Sequence, residues 1–149
     1  MNASIRPARA ADLDAVVEIE AAWPTAPHWS RRQFEEELPE RGATRSIFLV
    51  ADSDLVVAGH GVAWLVEDEA QILTLAVRPA MARAGVGRLL LQALLHGAKA
   101  AGCRRATLEV SADNVPARSL YDSSGFAVVG RRPGFYDDGS DALLMDKAL

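Results

Sequence analysis

Two side chains in the C-terminal third of this sequence have the chemistry to move a proton. Glu109 is flanked by Leu108 and Val110. On a strand, alternate side chains take opposite faces, so the carboxylate points away from its apolar neighbours. In a cleft it would be partly desolvated, gain basicity and serve as a general base; on an open face it would be a solvated charge. Tyr121 precedes Gly125 and Phe126. A phenol with a pKa of about 10 stays protonated at neutral pH and could donate to a leaving group. Equally, its ring could simply pack.

A third feature suits an anion. Arg83-Ala84-Gly85-Val86-Gly87-Arg88 opens an apolar stripe of helical period, Val86, Leu89, Leu90, Ala93 and Leu94. The first turn of a helix carries N–H groups without helical partners and a partial positive charge. Glycines at 85 and 87 let a diphosphate approach that backbone, and Arg83 and Arg88 add charge beside it. The alternative is a glycine turn that only starts a helix. No Gly-Lys-Ser/Thr follows, which excludes a P-loop, and the upstream pattern is not the βαβ unit of a dinucleotide fingerprint.

The remaining candidates carry less. His28, His60 and His96 have no ligand-like spacing, and Cys103 is the only cysteine, so no metal site is expected. Arg104 and Arg105 beside Cys103 could activate it, but no histidine is near, and an inert, semi-buried thiol is expected. Trp23, Trp29 and Trp64 suit either a cleft wall or the core. Glu35-Glu36-Glu37 and Glu67-Asp68-Glu69 read as solvated faces that could also attract a basic substrate.

The elements that must position these residues follow from periodicity. Ile5 to Ala8 is a short extended run. Asp12 is the expected N-cap of a helix carrying Leu13, Val16, Val17 and Ile19. Two prolines in Trp23-Pro24-Thr25-Ala26-Pro27-His28-Trp29 break it. Ser30 with Gln33 forms a capping box for a second helix through Phe34 and Leu38. Strands are expected at Ser46 to Ala51, Leu55 to Val66 and Ala70 to Arg78, with turns at Asp52-Ser53-Asp54 and Glu67-Asp68-Glu69. Gly59 and Gly61 predict a bulge or a close backbone approach. A helix from Gly85 to Ala101 ends at Gly102, a strand follows from Arg105 to Val110, and a short helix runs from Val115 to Ser123. Strands at Gly125 to Gly130 and Ala142 to Met145 close the chain. The order βααβββαβαββ makes an α/β (α+β) domain with a mixed sheet, in which the strands flanking the long helix are parallel neighbours.

Composition bounds the function. The 149 residues fit one domain, 1–149. Half are hydrophobic and 24% charged, as in a soluble globular protein. No apolar run approaches the roughly 20 residues of a membrane span, and the start has no secretory pattern, so a cytoplasmic protein without a membrane partner is expected. Sixteen Lys and Arg against twenty Asp and Glu give a net charge of −4, the wrong sign for coating nucleic acid, and no nucleic-acid partner is expected.

Taken in order, Leu75-Ala76-Val77-Arg78-Pro79, Arg83 to Leu90, Leu108-Glu109-Val110, Asn114-Val115-Pro116-Ala117 and Leu120 to Phe126 resemble the GNAT superfamily of acetyl-CoA-dependent N-acetyltransferases. Pro27-His28-Trp29-Ser30 and the late Arg131 to Tyr136 are similar to its RimI-like branch, which acetylates the N-terminal alanine of a ribosomal protein. The resemblance spans essentially the whole chain. It implies a mostly antiparallel central sheet with helices on both faces. It also implies acetyl-CoA as co-substrate, with no metal. Leu75, Ala76 and Val77 match the strand that pairs with pantetheine. Arg83, Ala84, Gly85, Val86, Gly87 and Arg88 match the pyrophosphate loop. Asn114 matches a cofactor contact, Glu109 the general base and Tyr121 the general acid. One departure is Ala82, where the family usually has Gln or Arg, and a weaker diphosphate site is expected. The implied acceptor is a protein or peptide N-terminus, a ribosomal protein among them. A small-molecule amine and a non-catalytic acyl-CoA-binding module are the alternatives.

Overall fold

The computed structural model describes residues 3–24 and 27–149; Met1-Asn2, and Thr25-Ala26 within the expected helix break, lie outside them. Its strands are β1 (Ser4–Pro7), β2 (Ser46–Ser53), β3 (Val56–Val66), β4 (Glu69–Val77), β5 (Arg105–Ser111), β6 (Ala127–Arg132) and β7 (Ala142–Ala148). Its helices are α1 (Leu13–Ala21), α2 (Arg31–Glu36), α3 (Val86–Ala100) and α4 (Val115–Ser123). They form one sheet in the order β1-β2-β3-β4-β5-β7-β6, in which β4–β5 is parallel and the other neighbouring pairs are antiparallel. The chain order and the parallel pair are those expected from the sequence.

Helices cover both faces of this sheet. Leu90, Leu91, Leu94 and Ala98 of α3 are fully buried on one face. The glycines of β3 make that contact close: a Cβ at Gly59 would sit 3.0 Å from Leu90 Cδ1, and one at Gly61 2.8 Å from Leu94 Cδ1. The sheet also bulges beside Gly59, where Ala58 is an extra residue of β3, since Ala51 pairs with Gly59 and Asp52 with Val57; the glycines thus mark both a close approach and a bulge. On the other face Leu13 and Val16 of α1 and Phe34 of α2 pack on Phe48, Val50 and Val62. Among the described residues no helix is long and apolar enough to cross a membrane.

Several local expectations are corrected. Asp12 does not cap α1. It closes a preceding 3₁₀ turn, accepting from Arg9 N–H at 2.8 Å while both carboxylate oxygens take Arg6 at 2.8 Å. The capping box at Ser30 does form, with Ser30 N–H donating to Gln33 Oε1 at 2.7 Å, but α2 stops at Glu36 because Leu38 turns extended ahead of Pro39. The β2–β3 turn centres on Asp54-Leu55, both left-handed, one residue later than expected, so β2 runs to Ser53 and β3 starts at Val56. The Glu67-Asp68 turn leaves Glu69 in β4, which ends at Val77. Gly125 is a helix terminus rather than part of β6, and β7 continues past Met145 to Ala148. Glu37 is no solvated charge: it is 8% exposed and accepts from Ser46 Oγ.

Candidate functional site

The site begins where two parallel strands part. β4 and β5 pair from Glu69/Arg105 to Ile72/Leu108 and no further. At that point Leu73 is an extra residue in β4, since Val62 pairs with Thr74 and Ala63 with Ile72. Such a bulge bends its strand. Beyond it, Arg78 N–H donates to Ala58 at 2.7 Å, so ladder alternation turns the peptide groups of Ala76 toward β3 and those of Leu75 and Val77 toward the gap. The result is a cleft of about 1700 Å³ bordered by an unpaired strand edge.

The glycine loop lies at one end of this cleft. Arg83 and Gly85 both adopt left-handed backbone, with φ of 66° and 86°. The first helical bond of α3 runs from Leu89 N–H to the Gly85 carbonyl at 3.1 Å, which leaves the N–H groups of Val86, Gly87 and Arg88 without helical acceptors. No acidic side chain occupies that first turn. Ala82, Arg83, Gly85, Gly87 and Arg88 line the cleft, while Val86 points into the core, 2% exposed. Arg88 also donates to Ser123 Oγ at 2.8 Å, tying α3 to α4. These bare amides and flanking guanidinium groups fit a diphosphate, and the open peptide groups of β4 fit an amide-bearing arm.

Glu109, Tyr121 and Asn114 line the same cleft. Leu108 and Val110 are buried, and the Glu109 carboxylate emerges on the opposite face, one-third exposed, with Arg132 3.7 Å away. It therefore faces a cation rather than an apolar wall. Tyr121 is held by the end of α4. Gly125 and Phe126 close a C-terminal motif, their N–H groups bonding Asp122 and Tyr121 carbonyls at 3.1 and 3.0 Å. The Phe126 ring sits 5.8 Å from that of Tyr121. Packing and cleft exposure thus coexist in one tyrosine, and burial pushes its hydroxyl well above the ordinary phenol range, keeping the proton on it. Asn114 caps α4, its Oδ1 accepting from Ala117 N–H at 3.3 Å.

Other residues enter the site that sequence reasoning left unassigned or undecided. Trp23 lines the cleft and its indole N–H donates to the Val77 carbonyl at 2.7 Å. His28 Nε2–H donates to the Trp23 carbonyl at 2.6 Å. Tyr136 borders the cleft near Glu109; burial and then the Glu109 charge push its hydroxyl upward. By contrast Trp29 packs on Phe34 at 5.3 Å, and Trp64, 42% exposed, belongs to neither cleft nor core. Cys103 is more deeply buried than expected, at 5%. Glu20 and His60, both fully buried, meet at 3.0 Å. Only long-range pairing unites them; no local pattern signals it. Among the described residues no three His, Cys, Asp or Glu side chains converge as metal ligands.

The sequence model of the Acetyltransferase (GNAT) family matches residues 13–126. A Bacillus subtilis protein with the provisional name [ribosomal protein bS18]-alanine N-acetyltransferase is 37% identical over 97% of this chain and 94% of its own length. The crystal structure of the ribosomal-protein-S18-alanine N-acetyltransferase from Escherichia coli superposes with a TM-score of 0.84 at 31% identity, covering 99% of this chain and 94% of that one. The structure of yncA, an acetyltransferase fold from Salmonella typhimurium solved with acetyl-CoA, gives a TM-score of 0.85 at 23% identity, over 100% and 95% of the two chains.

Proposed function

The chain belongs to the GNAT family of acetyltransferases, an acetyl-CoA-dependent N-acetyltransferase of the RimI-like kind, and from that premise we propose that it acetylates the N-terminal α-amine of a protein, a ribosomal-protein alanine, by direct transfer. The observation that carries this reading is a coincidence in space: Glu109 and Tyr121 line the cleft bordered by the open edge of β4.

Acetyl-CoA would supply an activated acyl thioester. Val86, Gly87 and Arg88 N–H groups, with Arg83, would hold its diphosphate, and the peptide group of Leu75 would align its arm, the Val77 carbonyl being engaged by Trp23. Asn114, with Oδ1 engaged in capping, has its amide N–H groups left for the ligand. A protonated amine cannot attack a thioester, so Glu109 accepts a proton from it, directly or through water. The Val77 N–H, turned toward the gap, would be the donor available to the acyl oxygen as charge develops on it. Tyr121, which lines the cleft, would donate the proton that the departing sulfur takes up. The reading calls on no cysteine nucleophile and no metal, and a cytoplasmic enzyme is part of it.

The acceptor is tested by offering acetyl-CoA with a peptide beginning Ala-Arg, with free polyamines and with aminoglycosides, and locating the acetyl group by mass spectrometry. Acetylation of the peptide α-amine is the expected outcome. Turnover confined to the small amines would replace the protein acceptor with a small-molecule one. Acetyl-CoA binding without any turnover would make the chain a binding module.

A further inference from the structure

A buried charge accompanies the cleft without lining it. Glu20, in the last turn of α1, has no exposed surface. Its Oε1 accepts from Thr74 Oγ1–H at 2.7 Å and from His60 Nε2–H at 3.0 Å, and its Oε2 accepts from Trp29 N–H at 3.1 Å. The His60 ring supplies Nε2 to this carboxylate while its buried Nδ1 has no partner among the described residues. An orphaned buried nitrogen costs stability. Apolar residues of similar volume could join α1 to the sheet as well as, or better than, an ionised group. Simple adhesion therefore does not account for the arrangement.

Its position does. Thr74 immediately precedes Leu75, and His60 is the register partner of Ala76. The carboxylate thus holds β4 at Thr74 and β3 at His60, beside the residues of β4 whose peptide groups turn into the cleft. Through Trp29 N–H it grips the chain that follows Pro27 and His28, both of which border the cleft. Trp23 joins the same strand at the Val77 carbonyl. We infer that Glu20 is a positioning residue for acetyl transfer, setting the acceptor side of the cleft against the strand that presents the acyl group. The inference rests on the reading of the cleft given above. It assigns Glu20 no contact with substrate.

Errors of about 1 Å in reactant placement cost on the order of 10²-fold in rate. Removing the carboxylate should therefore damage transfer to the acceptor more than it weakens the binding of acetyl-CoA, whose diphosphate is held by the first turn of α3 and not by β4. In Glu20→Ala, kcat/KM for the Ala-Arg peptide should fall by roughly 30-fold or more, with KM for acetyl-CoA within about twofold of wild type. Glu20→Gln should recover most of the loss: its carbonyl can take Trp29 N–H, and its amide can donate to His60 in the other tautomer. A Glu20→Ala enzyme that melts earlier yet keeps both kinetic parameters per folded molecule would overturn the inference. Should Glu20→Ala not fold, Thr74→Val carries the test, with an expected loss of about fivefold for the peptide alone and unchanged kinetics as the opposing result. A wild-type protein that fails to bind acetyl-CoA would instead remove the reading of the cleft.

Discussion

The two ends of the cleft are made of different material. At the diphosphate end the functional groups are peptide N–H donors of α3 and β4, placed by helix geometry, a bulge at Leu73 and left-handed backbone at Arg83 and Gly85. At the acceptor end they are side chains: Glu109 on β5, Tyr136 before β7 and Trp23 after α1. Backbone donors survive most substitutions of the residues that carry them. Side-chain groups are lost with a single substitution. One end should therefore tolerate mutation gradually and the other should fail abruptly.

The largest effect should come from Glu109→Gln. The change preserves size and removes the base, so kcat should fall by roughly 10²–10³-fold, while acetyl-CoA affinity by calorimetry stays near wild type. Equal losses in both would break the distinction between the two ends. Tyr121→Phe should come next, at about 10–10²-fold in the single-turnover rate. Its ring packs on Phe126 whether or not the hydroxyl is present, so the melting temperature should hardly move. A large drop in stability with unaltered chemistry would return Tyr121 to a packing role.

The same contrast explains what could be read in advance. The element order, the parallel β4–β5 pair and the α3 start follow from periods, glycines and turn residues that lie within short windows. So does the end of α4, where Ser124-Gly125-Phe126 spells out its own termination. The acceptor end depends on contacts between distant segments. Trp23 reaches Val77, and Glu20 reaches Thr74, across 54 residues in each case. No local pattern specifies such meetings. Asp12 failed as a cap for a related reason: Arg6, brought close by β1, competes for its carboxylate. Glu109 could be placed on the correct face from alternation alone, but its Arg132 neighbour comes from β6 and was invisible.

Acid should act on the side-chain network before it acts on the backbone-built end. Burial alone would raise Glu20, but His60, Thr74 and Trp29 N–H more than offset it and hold the carboxylate below its usual range. A folded-state pKa depressed below the unfolded value, about 4.3 for Glu, contributes stability fully above that value and loses it as pH falls through the depressed one. The urea midpoint should be insensitive to Glu20 between pH 7 and 5 and fall below about pH 4. Glu20→Gln should show a shallower fall; superimposable curves would show that the carboxylate carries none of the acid sensitivity.

Smaller effects belong to the backbone-built end. A Cβ at Gly87 would meet Leu120 Cδ2 at 3.4 Å and Val77 Cγ2 at 3.6 Å, ordinary contacts, so the fold has room for alanine there. Gly87→Ala should raise stability by about 0.5–1 kcal/mol through helix entropy. It should also weaken acetyl-CoA by roughly fivefold, the added methyl standing beside the bare amides of the first turn. Calorimetry and thermal melts on one sample separate the two signs. A variant that binds as tightly as wild type would place the diphosphate away from Gly87.

Ala82 should produce the smallest change, in the opposite direction. It is exposed, extended, and borders the cleft one residue before Arg83. Its methyl offers nothing to an anion, whereas a glutamine there could donate from a side-chain amide. The site already has three helical N–H donors and two arginines, so one neutral donor on an exposed loop adds little. Ala82→Gln should tighten acetyl-CoA by about threefold and leave kcat with a saturating acceptor unchanged, which follows if backbone does most of the holding. A gain of a hundredfold would contradict that, because the diphosphate would then depend on a side chain as heavily as the amine depends on Glu109, and the two ends of the cleft would no longer differ in kind.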